Sequence, residues 1–207
     1  MMRKLATWIV VLALGLCMST VAAQAQIGLL GKGIKAGVNF ANLHGSDVRS
    51  GLDSRTGIAG GLYLRYGIGT ALYIQPEVLY SMKGSKTTVA DTTTTLKLDY
   101  IEVPIMLKYA FQGSGSSITP NIGVGPAFAF KVSAKDSEDP GQTADVSSDF
   151  KGFDLGLAFA GGLDFAAGPS AVSLDVRYTM GLSKIGNSTP TPSVKNGAWT
   201  VSVGYGF

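Results

Sequence analysis

Gly197-Ala198-Trp199-Thr200-Val201-Ser202-Val203-Gly204-Tyr205-Gly206-Phe207 closes the chain and alternates without a break. Successive side chains of a strand point to opposite sides, so Trp199, Val201, Val203, Tyr205 and Phe207 share one face and Thr200, Ser202, Gly204 and Gly206 the other. One face is apolar with aromatics at its ends. The other is small and polar, with nothing large enough to build a core. A soluble sheet buries its apolar face against a second layer, whereas a membrane barrel turns that face to lipid and the polar face to its lumen.

The same parity runs back through the chain. Strands are predicted at about 32–43, 56–67, 71–83, 95–111, 117–132, 151–166, 170–183 and 197–207, eight in all. In the seventh, Val172, Leu174, Val176, Tyr178, Met180 and Leu182 lie opposite a polar set. In the sixth, Phe153, Leu155, Leu157, Phe159, Leu163 and Phe165 lie opposite Asp154, Gly156, Ala158, Ala160, Gly162 and Asp164. The fourth begins with an outward parity set by Leu96 and Leu98 that slips by one at Tyr100-Ile101, which predicts a bulge near Tyr100. Pro76, Pro104, Pro120 and Pro126 fall inside these strands, against the usual exclusion of proline from sheet interiors.

Connections alternate in length. Gly67 to Thr70, Gln112 to Ser116 and Ala167 to Pro169 read as tight turns, while His44 to Arg55, Gly84 to Thr94, Ser133 to Phe150 and Lys184 to Asn196 are long and polar. Short turns at one end and long loops at the other mark an outer-membrane barrel, and an even strand count then brings both termini to the periplasmic side. Outward aromatics form two belts. Tyr66, Tyr109, Phe111, Phe165, Tyr205 and Phe207 lie towards the turns, and Phe40, Tyr80, Phe130, Phe153, Tyr178 and Trp199 towards the loops.

At the front, Met1-Met2-Arg3-Lys4 precedes an apolar run from Leu5 to Val21 and the small stretch Ala22-Ala23-Gln24-Ala25. This predicts a signal peptide, residues 1–25, cut ahead of Gln26, with a barrel domain over 26–207. Of 17 basic residues only Arg3 and Lys4 lie before the cut, which leaves 15 against 14 acidic ones. No basic patch remains to argue for nucleic acid. The single cysteine, Cys17, goes with the signal, so disulfides do not brace the mature chain. No later apolar run is long enough for a helical span, and only a closed barrel could cross a membrane.

Tyr100-Ile101-Glu102-Val103-Pro104-Ile105-Met106-Leu107-Lys108-Tyr109, with Leu174 to Tyr178 and Val201 to Phe207, resembles the small outer-membrane β-barrel proteins known as PorT-like, and the layout is similar to the eight-stranded OmpA and OmpX barrel domains. The resemblance spans nearly the whole mature chain and implies an all-β, antiparallel, up-and-down transmembrane barrel. It implies further that Phe207 is the signal read by the barrel-assembly machinery, and that outer-membrane lipid and lipopolysaccharide surround a monomer. No residue carries the secretion role of the PorT member across.

Chemistry has few footholds. His44, the only histidine, lies with Ser46 and Asp47 in the first long loop, which admits a surface hydrolase or acyltransferase as an alternative; three such residues in a glycine-containing loop are also ordinary turn composition. One histidine and scattered carboxylates, including Asp136, Glu138, Asp139 and Asp145 of the third loop, show no metal-ligand spacing. Gly123-Val124-Gly125-Pro126 opens no helix and is no phosphate loop. Thr87, Thr88 and Thr92 to Thr95 read as a solvated extension of a hairpin. No catalytic residue, cofactor or metal site is assigned. The expected function is structural or interactive, through four outside loops and with an unidentified surface or periplasmic partner. A soluble lipocalin-like ligand binder, apolar inside, is the remaining alternative.

Inward parity gathers Lys35, Arg65, Lys108, Lys131 and Arg177 with Glu77, Glu102, Asp154, Asp164 and Asp175. Charges drawn out of water into a narrow lumen are expected to pair across strands.

Overall fold

The computed structural model describes residues 27–48, 52–89, 92–111, 117–139, 141–187 and 193–207. The expected signal peptide, residues 1–25, and its expected cut ahead of Gln26 lie outside them. Among the described residues nine strands follow in chain order: β1 (Ile27–His44), β2 (Asp53–Ile68), β3 (Leu72–Val89), β4 (Thr92–Ala110), β5 (Ile118–Asp139), β6 (Thr143–Asp145), β7 (Phe153–Ala167), β8 (Ser170–Gly181) and β9 (Lys195–Gly206). Their sheet order is β4-β3-β2-β1-β9-β8-β7-β5-β6, and β4 also pairs with β5. That pairing closes the sheet, and β6, three residues long and paired only to the outer part of β5, stands outside the wall. Eight antiparallel strands therefore form an up-and-down barrel.

Closure leaves every wall strand with two neighbours, which is what hydrocarbon demands of backbone N–H and C=O groups. Gly69 and Gly168, at φ +71° and +64°, supply the left-handed residue that two of the tight turns need. At the other end the strands outrun the sequence reading. β3 and β4 stay paired to Val89 and Thr92, so the second long connection is mostly a hairpin, and the threonines lie in its ladder.

Three of the four strand prolines have a common explanation. The β2–β3 register skips Leu64 and Arg65 opposite Gln75 and Pro76, the β3–β4 register skips Glu77 and Val78 opposite Val103 and Pro104, and the β4–β5 register skips Ile105 and Met106 opposite Gly125 and Pro126. Each of these prolines sits beside a break in the ladder, where its missing N–H is not called upon. Pro120 is the third residue of β5 and pairs with Leu163 of β7 without a break.

The predicted slip near Tyr100 is placed differently. A register shift does occur between Asp99 and Tyr100, but Asp99 pairs with Ser133 and Tyr100 with Lys131, so the extra residue is Val132 of β5. The parity of β4 never breaks. Leu98 and Tyr100 are buried on the same inward side as Glu102, Met106 and Lys108. Apolarity alone misassigned Leu96 and Leu98, because the loop end of the lumen holds an apolar cluster of Leu43, Leu98, Tyr100, Ala129, Ala134 and Ile185, against which Leu96 packs.

Elsewhere the faces follow the alternation. On β8, Val172, Leu174 and Val176 are exposed while Ser173, Asp175 and Arg177 are buried. Paired rings stand at both ends of the wall: Tyr109–Phe111 and Tyr205–Phe207 towards the turns, Phe130–Phe153 and Tyr178–Trp199 towards the loops. Arginine placed at Val176 should destabilise the folded barrel by roughly 2–4 kcal/mol in a bilayer, since it puts a charge against hydrocarbon near mid-strand. Urea midpoints and heat-modifiable gel mobility of Val176→Arg measure this.

Candidate functional site

The lumen is filled from the turn end to the loop end by polar side chains that the strand parity aims inward. At its centre Glu77 of β3 receives Arg177 Nη2 of β8 at 2.6 Å and Lys35 Nζ of β1 at 3.1 Å. Gln75 Nε2 donates to the same carboxylate at 2.6 Å. Asp175 of β8 receives Lys108 Nζ of β4 at 2.6 Å, and Lys35 Nζ lies 2.9 Å from its other oxygen as a charge contact outside hydrogen-bond angles. Three cations thus meet two carboxylates contributed by four strands, all at most 5% exposed.

Separate groups flank this centre. Towards the turns, Arg65 Nη2 meets Asp164 at 3.1 Å, and Asn121 Nδ2 and Tyr73 OH donate to the second oxygen of that carboxylate. Towards the loops, Lys83 Nζ meets Glu102 at 2.7 Å. Arg55 meets Asp99 at 3.4 Å, and Asp99, on the outward parity of β4, also accepts Tyr80 OH at 2.9 Å, so this pair lies at the wall and not in the lumen. Lys83 shares the inward parity of Glu77, Leu79 and Ser81 and was legible from it. The sequence places Arg55 at the end of the first long connection, whereas the structure has it in β2.

Two of the ten inward residues named from sequence have no ionic partner among the described residues. Asp154 is held by Ser183 Oγ at 2.5 Å and Asn196 Nδ2 at 2.8 Å. Lys131 donates instead to the carbonyls of Ser147 and Phe150, tying the third loop back to the wall. Between these groups, a void lined by Lys83, Ala127, Asp154, Thr179 and Asn196 measures about 10 Å³, room for about one water.

Above the apolar cluster the loop end opens into a cavity of about 500 Å³, walled by Leu43, Val48, Leu52, Leu96, Phe150 and Val194 among others. Its rim carries Asp47, Lys86, Asp136 and Asp149. Asp47 accepts the Ser193 amide at 2.7 Å and lies 3.4 Å from Ser46 Oγ. Neither Ser46 nor Asp47 hydrogen-bonds to His44 among the described residues, so the three do not form a relay. Beside the cavity Asp145 accepts the Ser147 amide at 2.8 Å, and that bond holds its carboxyl below the usual carboxylate range. Phe207 lies at the turn end on the outer face; its amide donates to Lys32 O at 2.8 Å, and its ring faces Tyr205.

A closed sheet that is apolar without and charged within defines a transmembrane β-barrel. A family model described as outer membrane protein beta-barrel domain matches residues 22–187, and the chain belongs to this family, whose place is the outer membrane. Among solved structures it is similar to Neisserial surface protein A, at 17% identity and a TM-score of 0.52, covering 86% of this chain and 97% of that one. Weaker likenesses are to Ail, the attachment invasion locus protein of Yersinia pestis, solved with the heparin analogue sucrose octasulfate (17% identity, TM-score 0.42, 86% and 98% covered), and to the N-terminal barrel of Pseudomonas aeruginosa OprF (9%, 0.41, 84% and 97%). A search of curated proteins found no match.

The different partners of the buried acids separate their energetics. Asp175→Asn strands Lys108 without a carboxylate and should cost roughly 3–5 kcal/mol. Asp154→Asn breaks no ion pair; it weakens two hydrogen bonds from the neutral donors Ser183 and Asn196 and should cost less, roughly 1.5–3 kcal/mol. Equilibrium unfolding of both variants in one lipid or micelle system gives the comparison.

Proposed function

We propose that the protein is a sealed barrel that anchors and presents its loop end, with a structural or surface-interaction role, and is neither a porin nor an enzyme. The observation that carries this is the centre of the lumen, where Lys35, Glu77, Lys108, Asp175 and Arg177 join β1, β3, β4 and β8 across the barrel axis. An eight-stranded barrel is just wide enough for side chains to fill. Here the filling is ion-paired, and opening a path would separate buried charges at a cost of several kcal/mol.

In this reading the long connections face outside and both termini lie in the periplasm, with lipopolysaccharide around the outer half of the wall. Phe207 serves the barrel-assembly machinery during insertion, and the mature chain works as a monomer. The partner met by the loops is unidentified, and the structural elaboration at that end is what supports seeking it there. Catalysis at His44, Ser46 and Asp47 has no support in their arrangement, since the Asp47 carboxylate is taken up by Ser46 and the Ser193 amide.

Planar-bilayer recordings of the purified protein should show no large, stable, uniform conductance. Steady channels of uniform size would contradict the sealed lumen. Protease cleavage within residues 141–152 on intact cells, with the termini protected until the envelope is opened, is the expected orientation result.

A further inference from the structure

We propose that the loop-end cavity binds a small organic cation with an apolar body. Its volume, about 500 Å³, lies within the range of small-molecule sites, and its apolar walls, Val48, Leu52, Leu96, Phe150 and Val194 among them, pack against the buried cluster. The floor is fixed by the buried cluster of Leu98, Tyr100, Ala134 and Ile185. The sides are fixed by cross-loop bonds: Ile185 N to Val194 O at 2.9 Å, Lys151 N to Ile185 O at 2.8 Å and Val146 N to Ala134 O at 3.1 Å. A ligand would therefore enter a formed site and spend little of its binding energy on ordering the loops.

Charge selects the class of ligand. Asp47, Asp136 and Asp149 face the cavity with Lys86 as the one cation among its described lining residues, and none of the four forms an ion pair among the described residues. Asp136 Oδ1 is shut off from solvent and has no hydrogen-bond partner. With that oxygen unsatisfied, the Asp136 carboxylate presents an under-compensated negative charge at the cavity wall, which a cation relieves and an anion makes worse. A bare metal ion would leave the apolar wall unused, and the described residues contain no group of three or more metal-ligating side chains. An ammonium on a compact hydrocarbon satisfies both features. The proposal holds whichever side of the membrane the loops face.

The test uses the mature chain in lipid nanodiscs and three probes that share one hydrocarbon cage: 1-adamantylammonium, 1-adamantanol and adamantane-1-carboxylate. Methyl NMR shifts of Val48, Leu52, Val146 and Val194 should saturate with the ammonium and stay unmoved by the carboxylate. Asp136→Asn should weaken the ammonium roughly tenfold or more, as loss of a charge-assisted bond implies, with gel mobility of the folded barrel unchanged. Lys86→Glu, at an exposed site on the same rim, should tighten it. No saturable shift with the ammonium would overturn the site; equal binding of all three probes, or indifference to both substitutions, would overturn its charge selection and with it the proposal.

Discussion

A carboxylate taken out of water into a lumen only side chains wide needs donors to replace that water, and Glu77 and Asp175 find three cations between them. Lys35 bridges the two acids, Arg177 and Lys108 each take one, and the five groups come from strands on different sides of the barrel. Ordinary sheet pairing joins only neighbours. These contacts join strands through the interior, so they fix which inward residues meet once the wall is closed. Pairing also explains why charged residues are tolerated where an unpaired one would cost several kcal/mol.

The lumen changes character along its length. Ion pairs and amides fill it from the turn end to Lys83 and Glu102; beyond them Tyr100 and Asn196 lead into an apolar plug, and above the plug the loops fold over a cavity. Lys131 marks the change, since its ammonium is spent on loop carbonyls instead of a carboxylate. The loop end is thus built as a small core of its own on top of the charged one, which is the physical reason to look for ligand or partner recognition there.

Alternation made most of the wall legible. A strand with lipid on one side and charge on the other writes its parity plainly, as β8 and β9 do, and the eight strands and their tight turns follow from it. The reading failed where that contrast vanishes. Leu96 and Leu98 are apolar and face inward, because near the loops the lumen is apolar too. The bulge was assigned to β4 when its extra residue is Val132, since a register shift belongs to a pair of strands and one strand's pattern cannot say which partner carries it. The cavity was invisible for a related reason: its walls come from the ends of several strands and the loops between them, which no single period joins.

The sealed lumen is the claim on which the functional reading stands. Residues 26–207 contain no cysteine, so single cysteines placed there can be read without background. Ser202→Cys and Ala158→Cys replace small inward residues, Val201→Cys replaces an outward one, and Ser148→Cys sits on an exposed loop. In bilayers, a water-soluble maleimide should modify Cys at 148 fully while leaving 158 and 202 untouched, and only a lipid-soluble reagent should reach 201. Rapid modification of 158 and 202 by the water-soluble reagent would mean a hydrated passage through the barrel and would contradict the account.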